Sequence, residues 1–168
     1  LRADCLEIRS WHALDFGVAP TLRKVSLVVP LAPDPEQLLE SFSPKHRKNI
    51  RRAQKNALEV VSGGAELLPE FYSVMERAWR DLGTPFYAQD YFSGIFRKLP
   101  DATRIFVCRH EGGAGATALV GCHEHTGTVE GLWNGSLPEA RGLQANYVLY
   151  WEMIRDICLR GCQEFHLG

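Results

Sequence analysis

No apolar run in this chain approaches the roughly 18 residues that a membrane-spanning helix needs, and no basic-then-apolar leader opens it. A soluble, cytoplasmic protein is therefore expected, with the inner membrane surface as its alternative station. There is no Cys-x-x-Cys pair, and the five cysteines, Cys5, Cys108, Cys122, Cys158 and Cys162, are odd in number. That points to reduced thiols rather than a disulfide framework. Cys158 and Cys162 could share a helix face, but zinc asks for two further ligands at sensible spacing. Packing is the better reading, and no metal is expected. Neither a Gly-x-Ser-x-Gly elbow nor a paired Cys and His announces a nucleophilic triad.

Acidic residues are missing locally. Between Ser41 and Leu58 there are none, although the stretch carries Lys45, Arg47, Lys48, Arg51, Arg52 and Lys55. Set those six of the 19 basic residues aside and 13 face 20 acids, so the rest of the chain stands at −7. One basic helix sits on an acidic body. Across all 168 residues, 45% are hydrophobic and 23% charged, which suits a domain with a real core and excludes disorder.

Strand-like runs at Cys5–Ser10 and Lys24–Leu31 come first. Asp34-Pro35 then starts a short helix through Leu39, and Ser43-Pro44 supplies a capping hydroxyl followed by proline at the first helical position. The helix opened there should reach about Asn56, with Lys45, Lys48, Arg52 and Lys55 on one face. A strand is predicted at Leu58–Ser62. From Glu66, the apolar residues Leu67, Phe71, Val74, Met75, Ala78 and Leu82 recur every three or four positions and predict a core-facing helix ended by Gly83. A second helix, Ala88–Leu99, would turn Tyr91, Ile95 and Leu99 inward. Strands are expected at Arg104–His110, Ala116–Glu124 and Thr128–Asn134, joined by links short enough to make an antiparallel meander. A polar loop over 135–144, a helix from Asn146 to Arg160 and a last strand at Glu164–Leu167 complete the order.

Several phrases in that order resemble the FemAB-like proteins of the GNAT superfamily associated with exosortase (PEP-CTERM) and exopolysaccharide loci. They are the basic phrase Lys45-His46-Arg47-Lys48-Asn49-Ile50-Arg51-Arg52-Ala53, the step Leu82-Gly83-Thr84-Pro85, Asn134-Gly135-Ser136, Ala145 through Glu152, and the terminal Gly161 to Gly168. The resemblance implies an α/β (α+β) fold, a GNAT-like acyltransferase sheet that is mixed and largely antiparallel, flanked by helices. It also implies that residues 1–33 are the tail of a preceding GNAT-like lobe and 34–168 a second lobe, truncated at its end. Better characterised relatives attach amino acids from aminoacyl-tRNA to peptidoglycan precursors. The implied activity is acyl or aminoacyl transfer to an amino group of a cell-envelope or exopolysaccharide precursor. No permanently bound cofactor is expected, and the donor is either aminoacyl-tRNA or acyl-CoA.

Two departures bear on that expectation. CoA-dependent relatives carry a Gln/Arg-x-x-Gly-x-Gly/Ala loop whose backbone N–H groups hold a pyrophosphate. Here the stretch reads Arg141-Gly142-Leu143-Gln144-Ala145-Asn146, and a side chain at Gln144 obstructs close backbone approach, which favours a larger carrier. Relatives also end in Phe-Asp-Phe-Gly, against Phe165-His166-Leu167-Gly168 here.

Acyl transfer to an amine needs a proton acceptor, donors for the oxyanion and alignment of two substrates. His123 and His125 alternate onto one strand face, and the turn at Gly127 could set Glu130 across from His123, a carboxylate orienting an imidazole. They are the candidate catalytic pair, against the plainer reading of polar residues at a strand end. Thr84, Tyr87, Trp133, Asn134, Ser136, Asn146, Tyr150 and Trp151 are the candidate substrate contacts. For Trp151 the alternative is core packing. Lys45, Lys48, Arg52 and Lys55 are the candidate anion contacts, the alternative being a solvated face. A non-catalytic module that keeps the fold and binds an anionic carrier is the rival function.

Overall fold

The computed structural model describes residues 15, 17, 27–123 and 126–167. The strand expected at Cys5–Ser10, and Glu124 and His125, lie outside them. Three long strands form the centre: β3 (Thr103–His110), β4 (Gly113–His123) and β5 (Thr128–Ser136). They pair antiparallel in chain order, as turns of a few residues dictate. The short strands β1 (Val28–Pro30), β2 (Leu58–Gly63) and β6 (Glu164–His166) complete a six-stranded sheet of order β1-β6-β5-β4-β3-β2. Only the β5–β6 pair is parallel, because a helical crossover separates those two strands. The sheet is mixed and largely antiparallel. Val28–Pro30 pairs with β6 at the edge of the sheet.

Both faces of the sheet are covered, and the alternation along β3 shows it. Ile105 and Val107 pack with helices α3 (Leu68–Asp81) and α4 (Gln89–Lys98). Phe106 and Cys108 pack on the other side with α6 (Ala145–Leu159). A strand buried on both faces reads as a continuous apolar run, which is what 105–108 is. Helices α1 (Pro35–Ser41), α2 (Pro44–Ala53) and α5 (Pro138–Gly142) lie on the α6 side. No helix among the described residues is long and apolar enough to cross a membrane.

Helix starts follow their local chemistry. Asp34 accepts a hydrogen bond from the Glu36 N–H, Ser43 accepts one from the His46 N–H, and proline holds the first helical position in both α1 and α2. At the end of α3, Gly83 adopts φ +68°. Its N–H bonds to the Arg80 carbonyl and the Thr84 N–H to the Trp79 carbonyl, a paired closure that needs a left-handed residue, usually glycine.

Two inward assignments shift. On α4 the buried residues are Phe92 and Phe96, while Tyr91 and Leu99 are 47% and 54% exposed. Both stripes satisfy helical spacing, and the helix turns its two phenylalanines inward because they hide more apolar surface. Leu82, expected on the core stripe of α3, is 70% exposed beyond that helix's end. The segment 135–144 is not all loop. It contains α5, too short for a periodic signal, although Pro138 at its first position marks the start.

Glu70 on α3 and Arg109 on β3 form a two-point ion pair, at 2.8 and 2.7 Å, that ties helix to sheet. The hydrogen bond from Arg109 holds the Glu70 carboxyl below the usual carboxylate range. Where α3 crosses β5, the space is filled by an absence. A Cβ at Gly135 would stand 2.8 Å from the Met75 Sδ and 3.3 Å from the Ala78 Cβ. Met75 is fully buried and has no room to withdraw. Gly135→Ala should therefore cost about 1–3 kcal/mol by overpacking. Urea denaturation checks this, and an unchanged midpoint would show that α3 can lift off β5 without cost.

Candidate active site

Strand β5 is bent by one extra residue. Leu119 on β4 pairs with Trp133, but the next residue, Val120, pairs with Gly131, leaving Leu132 without a partner. Such a bulge kinks the strand and increases its twist. The pairing of β5 with β6 covers only Thr128–Glu130 against Glu164–His166. Past the bulge, Trp133–Ser136 pairs with β4 alone among the described residues. The chain leaves β5 through α5 and enters α6, whose start lies against that stretch of strand.

That start is held by three hydrogen bonds from separate elements. Arg141 donates to the Ser136 carbonyl at 3.1 Å, Asn146 Nδ2 to the Ser136 hydroxyl at 3.3 Å, and Asn56 Nδ2, just beyond α2, to the Leu143 carbonyl at 2.9 Å. Asn146 does not cap α6. It stands in the first turn and spends its amide on Ser136, while Gln144 occupies the cap position and no side chain caps the helix. The first-turn N–H groups, which carry the positive end of the helix dipole, are therefore left without a side-chain acceptor. Gln144 itself has φ +59° and ψ +34°, the conformation glycine takes freely. Its side-chain oxygen is buried and unpartnered.

The structure sorts the sequence-derived substrate contacts onto two faces of the sheet. Asn134 is the register partner of Ala118, which packs with α6, and Ser136 and Asn146 bond on that side. Tyr150, one turn beyond Asn146, is half-buried against the same core, and burial pushes its phenol up. Trp133 lies on the opposite face with α3 and α4. Its ring meets Tyr87 and Tyr91 edge-on at 6.3 and 6.1 Å, and those two stack at 4.7 Å with about half their surface exposed. Thr84 is exposed in the α3–α4 connection. Trp151 is 3% exposed and meets Phe42 edge-on, so its surface goes to the core.

His123 and Glu130 come together at the end of the β4–β5 hairpin, with His123 Nε2 4.0 Å from Glu130 Oε2. Both side chains are open to solvent, at 58% and 39%. Glu130 stands beside His166 in the β5–β6 register, two residues before the unpaired Leu132. Residue 166, where relatives carry a carboxylate, is buried, and its ring lies 3.2 Å from Glu164. Sequence reasoning passed over His166 as a site residue, although that departure was the signal.

On α2, Ile50 and Ala53 are buried. On the exposed side, Arg47, Lys48, Arg51, Arg52 and, just past the helix, Lys55 form an open cationic surface with Pro44. Lys48, Arg52 and Lys55 are the candidate anion contacts on it. Lys45 is exposed outside it, and Arg47 and Arg51 take part instead. The four described cysteines have raised thiols rather than activated ones. Burial pushes Cys108 up to about 11, and Cys122, Cys158 and Cys162 are also raised, mainly by burial. Among the described residues no cluster of three metal-ligating side chains occurs.

Residues 44–168 match the acetyltransferase (GNAT) domain model. The chain belongs to the GNAT family. Among solved structures it is similar to FemX, with a TM-score of 0.76 at 14% identity over 85% of this chain and 52% of that one. It is also similar to the C-terminal domain of a putative lysylphosphatidylglycerol synthetase from Agrobacterium fabrum, with a TM-score of 0.64 at 16% identity over 85% of this chain and 45% of that one. The ribosomal-protein-S18-alanine N-acetyltransferase of Escherichia coli gives a TM-score of 0.52 at 15% identity, covering 62% of each chain. The chain thus spans about half the length of the first two. No curated protein shows significant similarity to it.

The Gln144 geometry yields a test. A left-handed non-glycine residue costs about 1–2 kcal/mol, and a buried acceptor without a donor adds about 1–3 kcal/mol. Glycine removes both at an entropic cost of about 0.5–1 kcal/mol. Gln144→Gly should therefore stabilise the protein by about 1 kcal/mol or more, read as a rise in Tm. A fall would show that the Gln144 side chain holds the α5–α6 junction together.

Proposed function

We propose that this GNAT domain is the catalytic lobe of an N-acyltransferase that moves an acyl or aminoacyl group from a carrier to an amine on a cell-envelope or exopolysaccharide precursor. The observation that carries the reading is the kink of β5 at Leu132 beside the uncapped start of α6, which Asn146 ties to Ser136. Strand N–H groups there can receive the carbonyl oxygen as it gains charge, and the helix start can receive an anionic part of the carrier.

In this mechanism the amine nitrogen attacks the donor's carbonyl carbon and its proton passes to Glu130, which His123 faces at 4.0 Å. The bond from carbon to the carrier's oxygen or sulfur then breaks, and the leaving group takes a proton. Asn146 and Ser136 fix the helix start against the strand, and Tyr150 lines the same side. Tyr87 and Trp133, with Thr84 nearby, offer the acceptor an uncharged surface across the strand. Gln144 favours aminoacyl-tRNA over acyl-CoA as donor, because a side chain at a left-handed position crowds the path a pyrophosphate would take. The chain works at the inner membrane surface or in the cytoplasm, wherever its acceptor lies.

A thermal-shift screen with acetyl-CoA, longer acyl-CoAs and charged tRNA tests the reading. Charged tRNA should stabilise the protein, and acetyl-CoA should bind more weakly than a micromolar constant, which corresponds to about −8 kcal/mol. Glu130→Gln should leave that stabilisation in place while slowing transfer to glucosamine, used as an amine probe, by about 10²- to 10⁴-fold. Stabilisation by no donor would leave the non-catalytic binding module as the better account. Full transfer by the Glu130 variant would move the proton acceptor elsewhere.

A further inference from the structure

Helix α2 carries charge that the fold does not use. Lys48, Arg51 and Arg52, with Lys55 just past the helix end, are exposed and make no side-chain hydrogen bond or ion pair with a described residue. Arg47 is engaged instead, donating to the carbonyls of Glu40 and Phe42 at the end of α1. Arginines on other elements behave differently, since Arg77, Arg104, Arg109, Arg155 and Arg160 all hold a carboxylate. At 3.6 residues per turn, Lys48, Arg51 and Arg52 fall within about a third of the helix circumference, opposite the buried Ile50 and Ala53. Like charges three and four residues apart repel, and no Asp or Glu lies between Ser41 and Leu58 to relieve them.

The shape of this surface narrows the partner. The residues bordering it, from Pro44 to Lys55, all come from α2 and the turn after it. A small ligand is held by groups that converge around a concavity. Cations side by side on one convex helix do the opposite: they can lie against a charged plane but cannot enclose a molecule. The charge is also directional. Outside this stretch, 13 basic residues face 20 acids. An anionic plane therefore attracts α2 and repels the body, which selects one orientation. A leaflet containing acidic phospholipids presents such a plane, and a cluster of about four to eight Lys and Arg on one helix is enough to be drawn to it. None of the large exposed apolar side chains is on α2, so nothing inserts among the acyl chains and attachment rests on charge alone.

We propose that α2 is a docking surface for a bilayer containing acidic phospholipids, on which the protein lies without inserting. Both ends of α2 are tied to the start of α6. The His46 ring meets Tyr147 edge-on at 6.2 Å, and Asn56, past the helix end, donates to the Leu143 carbonyl at 2.9 Å. A chain lying on α2 therefore holds the α6 start one helix diameter, about 10–12 Å, from the lipid headgroups. The docking itself needs no donor, acceptor or turnover, so its failure and that of the transfer reading are separable.

The test is co-sedimentation of the purified chain with vesicles of phosphatidylcholine, alone or with about one-third phosphatidylserine, in a salt series. Acidic vesicles should capture the chain at low salt and release it as the Debye length falls below about 8 Å. Neutral vesicles should not capture it. Lys48→Ala with Arg52→Ala should weaken partitioning about thirtyfold, and Arg51→Ala with Lys55→Ala by a similar factor. Arg52→Lys should bind as the wild type does, because a plane reads charge and not the fork of a guanidinium. Arg97→Ala with Lys98→Ala, a basic pair at the end of α4, should change nothing. Circular dichroism guards against misfolding, and alanine favours the helix. Equal capture by neutral vesicles, no capture by acidic ones at low salt, or wild-type partitioning in both α2 double variants overturns the proposal. A preference of about tenfold or more for phosphatidylglycerol over phosphatidylserine at equal charge also overturns it, by showing a headgroup site. Tighter binding of a labelled oligouridylate than of acidic vesicles at equal charge overturns it in favour of a nucleic-acid surface.

Discussion

The fold around β5 depends on one residue, Leu132. Leu119 pairs with Trp133 and Val120 with Gly131, so Leu132 is left over and the strand is kinked there. Past the kink, Asn146 ties the start of α6 to Ser136, and no side chain caps that helix. The strand's change of direction and the helix's first N–H groups therefore meet in one place. That meeting, more than any single side chain, makes this edge the place to look for chemistry.

The bend is affordable because the other side of β5 is clamped. Gly135 lets α3 approach to contact distance, and Met75 and Ala78 fill the space a side chain would take. Trp133, one residue earlier, locks into the ring cluster of Phe92, Tyr87 and Tyr91. One face of the strand is thus fixed by apolar packing while the other, bearing Asn134 and Ser136, turns toward the opening. The helix start across the opening is fixed by polar contacts instead, from Arg141, Asn146 and Asn56. Apolar packing sets the depth of the strand, and directional hydrogen bonds set the angle of the helix.

The elements that were legible in the sequence are those whose periodicity runs long. The α3 stripe and the unbroken 105–108 run declared a helix and a doubly covered strand, and Ser43-Pro44 announced α2. The bulge was not legible. An extra residue in a strand changes no composition, and Gly131-Leu132-Trp133 reads as ordinary alternation until its partner register is known. Past the bulge, plain alternation places Trp133 opposite Asn134 and Ser136, as the register shows. The α4 stripe went astray because 91/95/99 and 92/96 are equally helical, and only tertiary packing chooses between them. The His123–Glu130 proximity followed from the short Gly127 turn, which fixes cross-strand neighbours.

Gln144 brings together what sequence and structure each say about the donor. As a residue type it departs from the glycine expected in a pyrophosphate loop, which alone is compatible with a loop of different shape. The structure keeps the glycine shape, with φ at +59°, and inserts a side chain whose oxygen is buried without a donor. A backbone held in a sparsely populated conformation persists only when its surroundings over-determine it. Here the surroundings are the hydrogen bonds on either side, at Leu143 and Asn146. The loop geometry is therefore retained while the space it would open to a small anion is partly filled. Exposed positive charge gathers on another element, α2, where Lys48, Arg51 and Arg52 face solvent.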